Sequence, residues 1–66
     1  MGKTLASEVA SIDAELKTHN TVHRGYANPS EATLAKEVHD HYQSAGDRVQ
    51  ESTVGDQINM TIRHGA

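Results

Sequence analysis

The chain has 66 residues, no cysteine, no Phe and no Trp, and a formal net charge of −3 from nine acids against six Lys plus Arg. That length allows one domain, spanning 1–66, and the missing cysteine excludes disulfide staples and Cys-based zinc sites. The acidic balance speaks against duplex nucleic acid, whose binding rests on neutralising many phosphates, and no apolar run approaches the span of a bilayer.

The first segment, about 3–18, reads as an amphipathic helix. Leu5, Val9, Ile12 and Leu16 recur at helical spacing along one stripe, and Ala6, Ala10 and Ala14 favour the helix. The stripe is narrow, so the helix needs a partner, either the second helix or another copy of itself. Ahead of it, Met1-Gly2-Lys3-Thr4-Leu5 lacks the apolar core of a signal peptide, and Gly2 is only a weak match to an acylation start. The cytoplasm is the expected compartment.

His19 to Ala27 reads as the connection, punctuated by Asn20 and Gly25 and anchored by Val22 and Tyr26. No acid lies between Lys17 and Ala27, which makes this the one locally basic window of an acidic chain.

The second helix is expected over about 29–52. Asn28 fits the cap, Pro29 the first helical position, and Glu31 the capping-box position beyond them. Leu34, Val38, His41 or Tyr42, Ala45 and Val49 then continue a helical period straight through Gly46. Gly46 admits two readings: a C-terminal cap with a turn at Asp47, or a continuing helix in which the glycine lets a neighbour approach closely. Val49 lies on the stripe and Asp47 to Glu51 holds no breaker, so continuation to about Ser52 is favoured.

The tail from Val54 to Ala66 also reads two ways. Val54, Ile58 and Ile62 have helical spacing, whereas Ile58, Met60 and Ile62 alternate with Asn59, Thr61 and Arg63 as a half-buried strand would. No other stretch reads as a strand, so a strand here would have to pair between subunits. A short helix or docking arm is slightly preferred. The expected fold is therefore an all-α helical hairpin with a short C-terminal helix or arm. Large apolar residues are few, and assembly as a homo-oligomer is expected to complete the core.

The chemistry-bearing residues do not assemble a catalyst in the sequence. Of the five histidines, His39 and His41 point to different sides of a helix, and Glu37 with His41 lacks a third ligand. There is no Gly-rich phosphate loop, and small helices hold a Ser-His-Asp triad poorly. A non-catalytic protein without metal or cofactor is expected. Asn59-Met60-Thr61 matches a glycosylation acceptor by chance.

Arg24-Gly25-Tyr26 is the candidate ligand site. An arginine forks onto a phosphate, a tyrosine stacks on a base, and a glycine lets the ligand come close, all beside a helix start with free amides. The competing reading makes Tyr26 a hydrophobic staple, pairs Arg24 with an acid and gives Gly25 to the turn.

Gly25-Tyr26, the helix start from Ser30 to Leu34, and a long helix running through Gly46 together resemble the helical hairpin of phage cyclic-oligonucleotide sponges. These are of the anti-CBASS type, and the hairpin also occurs in an anti-Thoeris sponge. The resemblance covers about 17–51. It implies that Tyr26 stacks on a nucleobase. It implies that Arg24 stands in for the arginine the family places after the tyrosine, where this chain has Ala27. It implies that His41 occupies the place of a phosphate-binding lysine on the second helix. The implied function is non-catalytic sequestration of a cyclic di- or trinucleotide immune signal between subunits, in the cytoplasm of a bacterial host. The alternative is a helical protein-interaction module, an inhibitor or adaptor, that presents the Leu5–Leu16 stripe to a partner.

Overall fold

The computed structural model describes residues 3–65, so the acylation candidate Gly2 lies outside the described residues. The elements run α1 (Leu5–Thr18), β1 (Thr21–Ala27), α2 (Ala32–Ser44), β2 (Arg48–Val54) and β3 (Gln57–Arg63). The three strands form one sheet in the order β1-β3-β2, with β3 antiparallel to both neighbours. The fold is thus mixed α/β, and the expected all-α hairpin is not formed.

The first helix matches its sequence signals. Thr4 caps α1, accepting the Ser7 N–H at 3.1 Å while Ser7 Oγ accepts the Thr4 N–H at 3.1 Å. Ile12 is fully buried, and Leu5, Val9 and Leu16 pack partly buried against the same core. The stripe thus packs on the chain's own core, with Ile12 inside and Leu5, Val9 and Leu16 half-buried at its margin.

The expected connection is a strand instead. Val22 and Tyr26 face the helices from β1 and pair with Ile62 and Ile58 of β3. Arg24 sits between them on the same face and breaks the apolar alternation that would have marked the strand. The peptide bond from Asn28 to Pro29 is cis and lies in a turn, so α2 begins at Ala32 rather than at Pro29.

The second correction is the length of α2. Gly46 adopts φ +91°, a conformation that costs an L-residue with a Cβ ~1–2 kcal/mol. There the Asp47 N–H reaches back to the Tyr42 carbonyl at 3.0 Å and closes the helix. Gly46 is the cap, and the residues after it, read above as two more helical turns, form the edge strand β2. A tight turn at Gly55 (φ +61°) and Asp56 joins β2 to β3. The tail is the central strand of the sheet, not a helix or arm, and its strand partners lie within the chain. Ile58, Met60 and Ile62 all turn inward, 5% exposed or less.

Both helices cover one face of the sheet. Ile12, Ala35, Val38 and Tyr42 from the helices meet Val22, Tyr26, Ile58, Met60 and Ile62 from the strands in one core. The two tyrosines supply the bulk that Phe and Trp provide elsewhere. Among the described residues, no helix is long and apolar enough to cross a membrane.

Candidate anion-binding face

The residues singled out in the sequence are separated by this fold. Arg24 lies under α1, where its guanidinium donates to Glu15 Oε1 at 2.6 Å, to Ser11 Oγ at 3.1 Å and to the His23 carbonyl at 2.9 Å. The Glu15 contact holds the Arg24 pKa above its ordinary value and the Glu15 carboxyl below its own. Tyr26 is 2% exposed, and its hydroxyl donates to the buried Glu8 carboxylate at 2.7 Å. Lys3 Nζ stands 5.2 Å from the Tyr26 ring centre, within cation–π range. Gly25 points the other way, onto the uncovered side of the sheet, and His41 is exposed on α2 with its ring 4.8 Å from Tyr42. Arg24 and Tyr26 therefore serve the seam between α1 and the sheet, and the four candidates share no surface.

Tyr42 repeats the arrangement, donating to Asp13 Oδ1 at 2.8 Å. Burial first, and then the neighbouring carboxylate, pushes both tyrosine hydroxyls above their ordinary value of 10.0. A folded-state pKa raised in this way gives stability that is complete below the ordinary value and is lost as pH rises towards the folded one. Alkaline titration is expected to show no tyrosinate absorbance near pH 10 while the chain stays folded. Ionisation should instead coincide with loss of the helical circular-dichroism signal at higher pH. A tyrosine ionising at its ordinary value in a folded chain would contradict the seam described here.

The surface left for a ligand is the other face of the sheet. Alternation along each strand places on it Thr21, His23, Gly25 and Ala27 from β1. From β3 come Gln57, Asn59, Thr61 and Arg63, and from β2 Arg48, Gln50, Ser52 and Val54. None of the nine acids of the chain is among them. Glu51, the one acid within a strand, turns to the helix side, where its carboxylate meets His39 Nδ1 at 3.2 Å. An acidic protein thus has one broad face with only neutral and basic side chains.

The basic charge gathers at one end of that face. Arg48 and Arg63 stand directly opposite each other across β2 and β3, and Thr21 flanks Arg63 from β1. Like charges directly opposite in a sheet destabilise it. Among the described residues neither arginine is within ion-pair distance of a carboxylate. Beside them opens a cavity of about 370 Å³ lined by Asn20, Thr21, Arg48, Arg63 and His64. The His64 N–H donates to the Asn20 carbonyl at 2.9 Å, which ties the end of β3 to the start of β1. The lining holds two arginines, a threonine hydroxyl and an asparagine amide, while the His64 ring at its rim lies 3.6 Å from the Asp47 carboxylate.

No family model, curated protein or solved structure was found to match the chain.

Sequence reasoning missed Arg48 and Arg63 because they are far apart along the chain and neither lies in a charge cluster. The alternation Asn59-Thr61-Arg63 opposite Ile58-Met60-Ile62 was the available signal. It says which side of β3 is polar, but not which strand brings the second arginine. Among the described residues, no group of three or more His, Asp or Glu could hold a metal ion.

Proposed function

We propose that the chain is a non-catalytic binding module that takes a small phosphate-bearing ligand on the open face of its sheet, at the Arg48–Arg63 end. The observation that carries this reading is the cross-strand arginine pair on a face free of acids. An anion placed between the two guanidiniums removes a repulsion that the folded chain otherwise bears. Thr21 and Asn20 supply neutral hydrogen bonds at the rim of the same cavity.

The face has no Tyr, Phe or Trp, since both tyrosines lie in the core, and its rings are the imidazoles of His23 and His64. Charge and hydrogen bonds therefore carry most of the binding. Cyclic di- and trinucleotides, the ligands implied by the sponge resemblance, carry phosphates and fall within the class. Their contacts would be Arg48 and Arg63 in place of Arg24, Tyr26 and His41.

Isothermal titration with pyrophosphate and a panel of cyclic di- and trinucleotides tests the reading. Binding is expected to weaken as salt rises. Arg63→Gln should weaken it by about tenfold or more, a loss of ~1.4 kcal/mol, without lowering the melting temperature. Absence of binding across the panel, or an undiminished affinity in Arg63→Gln, would reject it.

A further inference from the structure

Two strand edges are open to solvent in this fold, because β3 occupies the centre of the sheet. The two edges are not equivalent. The bonds from the Asn28 N–H to the Asp56 carbonyl and from the His64 N–H to the Asn20 carbonyl set the parity of the ladder. Even-numbered residues of β1 bond to β3, and odd-numbered ones turn their backbone groups outward. Three of those outward groups are bonded by side chains. The Gly25 carbonyl accepts from Lys3 Nζ at 3.5 Å, the His23 carbonyl from Arg24 at 2.9 Å, and the Ala27 N–H donates to Glu31 Oε1 at 2.8 Å. Side chains thus guard the β1 edge.

The β2 edge has no such guard. By the same parity, Val49, Glu51 and Thr53 direct their N–H and C=O groups outward. Among the described residues, no side chain or backbone group bonds to them. The helix layer stops short of this edge as well: Glu51 and Thr53 face the helix side yet are exposed. Val54 beside them is 65% exposed. An unguarded strand of this kind is a template for another strand.

We propose that β2 pairs antiparallel with β2 of a second copy of this chain, centred on Ser52, joining the two sheets into one. Charge selects the partner and the register. Antiparallel pairings that overlap most of β2 are centred on Gln50, Glu51 or Ser52. Centring on Glu51 sets two like carboxylates directly opposite each other. Centring on Gln50 sets Val49 against Glu51 of the copy and leaves Val54 beyond the paired strands. Centring on Ser52 ends the paired ladder with Arg48 beside the Gly55–Asp56 turn of the copy, a cation next to an acid-bearing turn twice by symmetry, and lays the exposed Val54 against Gln50 of the copy. The same symmetry keeps both helix layers on one side and both acid-free faces on the other. The pairing rests on the strand edge and shares Arg48 with the ligand reading, and disulfide cross-linking reads it without any ligand present.

Ser52 bonds through its backbone to β3, so across the new seam it is a non-hydrogen-bonded position. Such residues place their Cα atoms ~4.5 Å apart, within disulfide range. The chain has no cysteine, so an introduced one reports cleanly. Ser52→Cys is expected to form a disulfide-linked dimer under mild oxidation, and Gln50→Cys to remain monomeric in a denaturing gel. Light scattering of the wild type should show a dimer. Thr53→Pro, which removes an outward N–H and spares the bonds to β3, should shift it to monomer with the circular-dichroism spectrum retained. Asp56→Arg should weaken the dimer, and Arg48→Asp added to it should restore the dimer. A wild type monomeric at high concentration, or cross-linking through Gln50→Cys in preference to Ser52→Cys, would overturn the proposal.

Discussion

Tyr26→Ala is expected to unfold the chain. The side chain is 2% exposed and fills the junction of α1, β1 and β3. Truncating a buried aromatic costs ~3–5 kcal/mol, and a domain of this size has about that much stability in total. The substitution also strands the Glu8 carboxylate, itself 9% exposed, without the hydroxyl that donates to it. Tyr26→Phe separates the two effects. It keeps the ring and removes only the hydrogen bond, for an expected loss of ~1.5–3 kcal/mol. Urea unfolding followed by circular dichroism reads both variants. A Tyr26→Ala chain that melts like the wild type would show that this side chain is not part of the core.

The next largest effect separates the strand from the helix in the tail. Met60→Lys places a charge at a position 1% exposed between the sheet and the helices, and should abolish cooperative folding. Val54→Lys should change stability by no more than ~0.5 kcal/mol, because Val54 is 65% exposed. A helical tail would invert this result, since Val54, Ile58 and Ile62 would then form the buried stripe and Met60 would face water. Thermal melts of the two variants side by side decide it.

The contrast shows which parts of the fold could be read from the residues. The first helix was legible because propensity and stripe agree over about 3–18, and the Thr4 capping box adds a start signal that was not read from the sequence. The strands were not, for separate physical reasons. In β1 the inward position between Val22 and Tyr26 is Arg24, whose charge is satisfied by Glu15 rather than excluded from the interior. In β2 the inward positions are Val49, Glu51 and Thr53, an edge so little covered that it carries almost no apolar pattern. Val49 then fell by coincidence on the stripe of α2 and hid the stop at Gly46, a stop that its positive φ marks at once in the structure. The alternation in β3 was visible, but its strand partners were not. A short helix or arm is therefore slightly preferred from the sequence, and a strand there would need another subunit, although β3 sits between two strands of the same chain.

The candidate site had a similar fate. Arg24-Gly25-Tyr26 drew attention as a basic and aromatic window, and these residue types do suit a phosphate and a base. A strand turns consecutive residues to opposite faces, however, so Arg24 and Tyr26 went inward and Gly25 outward. The surface with the better claim joins the end of β3 to the start of β2, a pairing set by the Gly55–Asp56 turn and the register that follows from it.

The central claim is that the acid-free side of the sheet is the working surface. Amide chemical-shift mapping during a pyrophosphate titration tests it most directly. The account predicts saturable shifts centred on Asn20, Thr21, Arg48, Arg63 and His64, with Arg24, Tyr26 and His41 unmoved. No saturable shift, or shifts centred on the α1 seam or on α2, would contradict it.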